Sequence, residues 1–506
     1  MENAQELEVD ASGNVKQLAM GPAIRSLGYV FWIVGAMEMV ERLAFYGVQA
    51  VASLYATDPV SKHGLGITIG QYGTIAMVWA ITQSLVPAFT GGLSDRYGYK
   101  ETIFLSTVVK IIGYILMASF PTYYGFMAGA VVLAAGTAIF KPGIQGTLVN
   151  ATNRTNSSIA WGIFYQTVNI GGFLGPLVAG YMRKMDWKYV FFSCAAAICC
   201  NFLLLLTYRE PKKEERLERA RLAKEGKGAE ASLWRESLRE LAKPQVFLYI
   251  LAFSGFWFMF WSIFTILTNH IQDWVDTRGI VNTLFGAGGP TSGVVKFFVN
   301  MNKEGTEILP EGMLNLNAGL IMTTCFFFGW LSGKMDTIKS IVIGTLLATL
   351  SMVLSGYSSV GWLSVFAILT FSVGEMLSSP QFNEFIGNLA PSDKKAMYLG
   401  FKEIAVAIGW GIEGKVGPWL YDHYASKERF SHELLAERGI TGVPQGEAFQ
   451  KLMEVTGQEK WALTGELYRT HNPSIVWYVM ACVGVVSALG IYMYGRWMRS
   501  YRLRMA

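Results

Sequence analysis

The chain has 506 residues, of which 52% are hydrophobic and only 16% charged, with a formal net charge of +5 at pH 7. Soluble domains carry about 25% charged residues, so this composition excludes an ordinary water-soluble globule and points to lipid as the solvent. The mild positive balance gives no footprint for nucleic acid, and Cys194, Cys199, Cys200, Cys325 and Cys482 lie in apolar runs without metal-ligand spacing, which leaves neither a disulfide framework nor a zinc site.

Residues 1–26 are polar and acidic, without the basic-then-apolar layout of a cleaved signal peptide. From there, runs of the roughly 20 apolar residues needed to cross a bilayer recur to the end of the chain. They are predicted at 27–56, 70–94, 101–120, 123–149, 157–181 and 188–208, then at 246–270, 314–333, 338–356, 361–388, 396–421 and 474–495. The reading is an all-α membrane protein of twelve transmembrane helices, six in a bundle over 27–208 and six over 246–495. The basic stretch 209–245 between them fits either an amphipathic helix on the membrane surface or a solvated linker. Basic residues concentrate in the short loops on one side, in this linker and in the tail 496–506, so both termini are expected in the cytoplasm of a multi-pass protein of the cell inner membrane. Segments 271–313 and 422–473 then fall outside, the second forming short helices over the outer mouth.

The two halves repeat. A shift of 238 residues pairs Gly91 with Gly329, Gly136 with Gly374, Pro142 with Pro380 and Gly171 with Gly409. Parallel repeats of six helices place a substrate between halves that rock about a central site. Gly91, Asp95, Arg96, Gly98 and Lys100 resemble the loop between helices two and three of the major facilitator superfamily, and that resemblance implies a conformational latch.

The stretch "EMVERLAFYG" at 38–47 sets Glu38, Glu41 and Arg42 on one face of a spanning helix. A charge at the centre of such a helix costs about 2.5–3.5 kcal/mol, so the group needs partners or a cavity, and charges of this kind mark proton or substrate pathways. Lys141 in the fourth span and Glu375 in the tenth are further ionisable groups deep in apolar sequence. Glu38, Glu41, Arg42 and Tyr46 resemble the Glu-x-x-Glu-Arg-Phe-x-Tyr-Tyr pattern of the proton-dependent oligopeptide transporters, a branch of that superfamily. The resemblance continues through Lys141, through Tyr165 and Asn169 in "FYQTVNIGG", through Asn317 in "LNLNAG", and through Glu375 with Ser379 and Pro380. Leu43, Phe45 and Gln49 depart from the family pattern, as does an apolar seventh span.

A short peptide is a zwitterion and needs a cationic and an anionic wall. Arg42 and Lys141 are expected to hold its carboxylate; Glu375, with Asn317 and Asn169, its ammonium. The resemblance implies that Tyr46, Tyr165 and Trp410 line the pocket. It also implies proton coupling through Glu38, Glu41, Arg42 and Lys141, in which ionised Glu41 holds Lys141 and protonated Glu41 releases it. The expectation is a monomeric symporter of di- and tripeptides whose partners are peptide, proton and lipid bilayer, with no cofactor beyond the coupling proton. The same scaffold also admits a modified amino acid, nitrate or another organic anion, and more remotely a sensor. The scattered histidines form no catalytic arrangement, so no enzyme is expected.

Overall fold

The computed structural model describes residues 18–505 apart from 19, 154, 212, 215–216, 219–236, 358 and 392–394. The amphipathic reading of 209–245 falls largely outside the described residues. Twelve long helices dominate: α1 Tyr29–Gln49, α2 Ile69–Tyr97, α3 Tyr99–Ser119, α4 Tyr123–Asn150, α5 Ser157–Arg183 and α6 Trp187–Leu206, then α7 Pro244–Trp274, α8 Pro310–Gly333, α9 Thr337–Tyr357, α10 Gly361–Leu389, α11 Lys395–Tyr424 and α12 Ile475–Met505. At 1.5 Å per residue each is long enough to cross the hydrocarbon layer. Their starts carry the expected chemistry: Thr68 and Gln71 form a capping box before α2, Thr122 caps α4, Asp186 caps α6, and proline opens α7 and α8.

Large apolar side chains such as Leu206 and Val486 are exposed, and lipid is the partner they fit. Among the described residues, eight of the twelve helices are apolar enough to span a membrane by composition alone. The other four, α1, α2, α5 and α11, each give polar or charged side chains to the space between the halves. The protein is therefore a multi-pass membrane protein whose least apolar helices face inward.

The repeat read from the sequence reappears as packing. In the first half α3 packs on α4 and α1 on α5; in the second α9 packs on α10 and α7 on α11. Across the halves α2 meets α11 and α5 meets α8, the same contact under the internal symmetry. Glycines set two of these contacts: a Cβ on Gly171 would lie 2.4 Å from the Met39 carbonyl oxygen, and one on its repeat mate Gly409 would lie 2.4 Å from that of Ser254. Only a residue without a side chain lets those backbones approach so closely.

Two expected spans differ in detail. The first breaks after Gln49 and resumes as Ala52–Thr57, and α7 runs on to Trp274 through a π-type turn at Ile263–Leu267. Short helices Arg278–Phe285, Gly293–Val299, Lys427–Glu437, Ala448–Thr456 and Lys460–His471 build one end of the molecule, hereafter the segment end. Polar contacts between the halves concentrate toward that end. Arg183 pairs with Glu311 at 2.7 Å, Ser53 bonds Thr268 at 2.9 Å, Asn269 donates to Thr57 at 2.8 Å, and Lys415 donates to Thr74 at 2.7 Å. The segment end is shut.

Candidate functional site

A cavity of about 420 Å³ lies between the halves. From the first half α1 contributes Glu38, Arg42 and Tyr46, α4 Lys141, and α5 Tyr165 and Asn169; from the second, α8 contributes Asn317, α10 Glu375, and α11 Lys402 and Glu403. Eight of the residues singled out in the sequence thus converge on one space, although they come from helices far apart in the chain.

Three acidic and three basic side chains line the cavity, Glu38, Glu375 and Glu403 against Arg42, Lys141 and Lys402, so the wall is neutral in sum. Its charges are not uniformly paired. Arg42 and Glu38, one helical turn apart, form an ion pair at 2.8 Å, and Glu38 Oε2 is buried without a partner. Lys141 meets Glu403 of the opposite half at 3.5 Å, both side chains about one third exposed. Glu375 accepts from Asn317 Nδ2 at 3.1 Å, and Asn317 is steadied by Ser372 at 3.0 Å. Among the described residues no cation lies within ion-pair distance of Glu375. One carboxylate is therefore open to a cation from outside the chain, while two guanidinium or ammonium groups stand across the cavity on exchangeable partners.

Aromatic rings close the remaining wall. Trp257, Trp261 and Phe264 of α7 all face the cavity, Phe264 from the π-type turn, with its ring 5.7 Å from that of Tyr46. Such turns are frequent at functional sites.

Two sequence expectations are corrected. Glu41 does not meet Lys141; it points into the first half, where it is fully buried against Lys110 of α3, whose ammonium also sits over the Phe140 ring. The helical spacing that puts Glu38 toward the cavity leaves Glu41 turned from it. Gly136 makes room for Lys110, since a Cβ there would lie 2.6 Å from the lysine Cγ. Trp410 is buried behind the wall, stacked on Trp261 at 3.7 Å between ring centroids, so Trp261 stands between it and the cavity. Of the loop residues, Gly98 has φ 123° at the turn between α2 and α3, and Lys100 donates to the Tyr208 carbonyl at 2.6 Å. The surroundings of Gly91, Asp95 and Arg96 lie outside the described residues.

Sequence reasoning overlooked Lys110, Lys402 and Glu403. The first is a lone lysine in the apolar run "STVVKIIGY", and the others interrupt the eleventh span as "GFKEIAV". The cost of a charge in lipid marks all three as surely as it marks the first-helix cluster.

Residues 34–412 match the sequence profile of the Major Facilitator Superfamily. Multidrug resistance protein MdtH of Edwardsiella ictaluri (strain 93-146) is 22% identical over 407 residues, 79% of this chain and 87% of that protein. Among solved structures, a peptide transporter POT in complex with sulfate superposes with a TM-score of 0.65 at 17% identity, covering 95% of this chain and 99% of that one. The nucleoside transporter NupG gives 0.67 at 11% identity, covering 92% and 99%. All are carriers.

Proposed function

The chain belongs to the major facilitator superfamily, and from that premise we propose that it is a proton-coupled importer of di- and tripeptides of the oligopeptide-transporter branch, working by alternating access. The observation that carries the reading is the unpaired Glu375, held by Asn317, facing Arg42 and Lys141 across a cavity of zero net charge. A zwitterion satisfies both walls without leaving a charge over. Its ammonium replaces the missing cation at Glu375, and its carboxylate takes Arg42 and Lys141.

Coupling runs through Glu38. While ionised, Glu38 occupies Arg42; a proton on Glu38 dissolves that pair and frees the guanidinium for the cargo's carboxylate. Proton and peptide then favour each other's binding, as linkage requires. The carboxylate also competes with Glu403 for Lys141, a contact between the halves, so loading loosens a tie across the cavity. With the termini in the cytoplasm, one proton entering down about 100 mV supplies roughly 2.3 kcal/mol, close to fiftyfold accumulation of a neutral solute.

In proteoliposomes with an inward proton gradient, labelled dipeptide should accumulate, and Glu375→Gln should lower apparent affinity about 10- to 100-fold by removing a charge-assisted contact. Glu38→Gln should lose gradient-driven accumulation and keep exchange. Unchanged dipeptide affinity in Glu375→Gln would refute the assignment. A second reading, export of bulky apolar cations, draws on Trp257, Trp261 and Phe264 and on the likeness to MdtH. It needs Glu375 but no partner for a carboxylate, so Lys141→Gln separates the two: peptide transport depends on that lysine and cation export does not.

A further inference from the structure

Between the cavity and the segment end, α11 buries a carboxyl group that does not line the cavity. Glu413 is fully buried, its Oε1 meets the Thr265 hydroxyl in the π-type turn of α7, and its Oε2 has no partner. Among the described residues no cation contacts it. An ionised carboxylate in that setting is strongly disfavoured, whereas the neutral acid has an acceptor for its proton. Thr265 Oγ1 also lies 3.1 Å from the Trp261 carbonyl, so a protonated Glu413 can donate to the hydroxyl while the hydroxyl donates to that carbonyl. Gly417 keeps the space clear, since a Cβ there would come within 2.4 Å of Oε1.

The group sits beside the seam that holds the halves together. Its chain neighbour Gly414 packs so closely on α2 that a Cβ would lie 2.9 Å from the Met77 nitrogen, and one on Gly73 would lie 2.9 Å from the Gly414 carbonyl oxygen. Of the titratable side chains nearby, Tyr72 of α2 is close enough to interact with the carboxyl. Lys415 is turned to Thr74, and His270, farther along α7, receives the Trp477 indole N–H at 3.1 Å. None supplies a countercharge. In an alternating-access cycle this seam must part, and water then reaches Glu413, which ionises as a hydrated glutamate does.

We propose that Glu413 is a proton-binding site distinct from the central cavity, and that uptake of one proton there is the condition for the segment end to close. The proton enters and leaves on the same side, so it is not cargo; it sets the conformational balance according to the acidity outside. The proposal rests on the alternating-access reading and is independent of which solute is carried.

The test needs no solute. Spin labels on Tyr189→Cys and Tyr424→Cys, exposed positions on opposite halves at the segment end, report the closed-to-open ratio by double electron–electron resonance. The full chain is used in nanodiscs, with its exposed native cysteines replaced by serine. Binding of one proton by the closed form alone raises that ratio about tenfold per unit of acidification at pH values above the ordinary glutamate range. Glu413→Gln should abolish this component and stay closed throughout. Thr265→Val keeps the carboxyl and removes its partner, and should lower the closed-to-open ratio about three- to tenfold. A Glu413→Gln protein that retains the parent's pH dependence, or a Thr265→Val protein with the parent's closed-to-open ratio, overturns the proposal. Failure of peptide uptake leaves this measurement untouched.

Discussion

Replacing Lys110 with methionine leaves the Glu41 carboxyl in a space from which water is excluded, with nothing opposite it. Both side chains of the pair are 0% exposed, so the relevant scale is that of a buried pair broken on one side, about 3–5 kcal/mol. Loss of the ammonium from the face of Phe140, 3.9 Å away, adds up to about 2 kcal/mol. Removing both charges, as in Lys110→Met with Glu41→Gln, should cost far less than the single changes combined, because well-packed neutral replacements of buried pairs are often neutral or stabilising. Unfolding of the four proteins in detergent therefore gives a coupling energy of about 3 kcal/mol or more, and the double variant should still exchange substrate. A coupling below about 0.5 kcal/mol, the scatter expected of independent sites, would refute the view that this pair fastens α3 to α1. A folded double variant unable to exchange would refute the placement of Glu41 outside the transport machinery.

Gly171→Ala and Gly409→Ala each drive a methyl group against a backbone oxygen 2.4 Å away. Each should destabilise by about 1–3 kcal/mol, and equal effects, read as matched drops in unfolding midpoint, would reflect the internal repeat. Lys427, 6% exposed on the segment end with its ammonium on the Asp273 carbonyl at 2.7 Å, is pushed down to about 8 by burial. Its folded value lies below the unfolded one near 10.4, so the unfolded chain holds the extra proton between them. Stability should rise from about pH 8 toward about pH 10 by up to roughly 3 kcal/mol and fall again on acidification. Lys427→Met should flatten that part of the profile in thermal unfolding. Glu403→Gln removes a partly hydrated pair worth at most about 1 kcal/mol, so exchange rates should change less than about fivefold while stability stays within error.

The helices were legible because twelve stretches keep the length that lipid demands, eight of them, among the described residues, apolar enough by composition alone; the repeat was legible because glycine at 171 and 409 meets the same steric demand twice. The cavity was legible where a charge could be recognised by its cost, as at Arg42, Lys141 and Glu375. Pairing was not. Whether Glu41 meets Lys141 or Lys110 depends on which way one helix is rotated, and a residue three positions from Glu38 lies far enough around α1 to face the protein interior. Trp410 and Trp261 are likewise indistinguishable as tryptophans in sequence; only the stacking order of α7 and α11 decides which ring is wetted. The π-type turn at 263–267 leaves no compositional mark at all.

The balance of three positive against three negative groups around the cavity bears on the electrical behaviour of the carrier. If the wall moves through the membrane field carrying no charge of its own, and a zwitterionic solute adds none, each elementary charge displaced per turnover corresponds to one hydrogen ion. A current recorded across a supported bilayer, divided by the flux of labelled solute, then reads the stoichiometry directly.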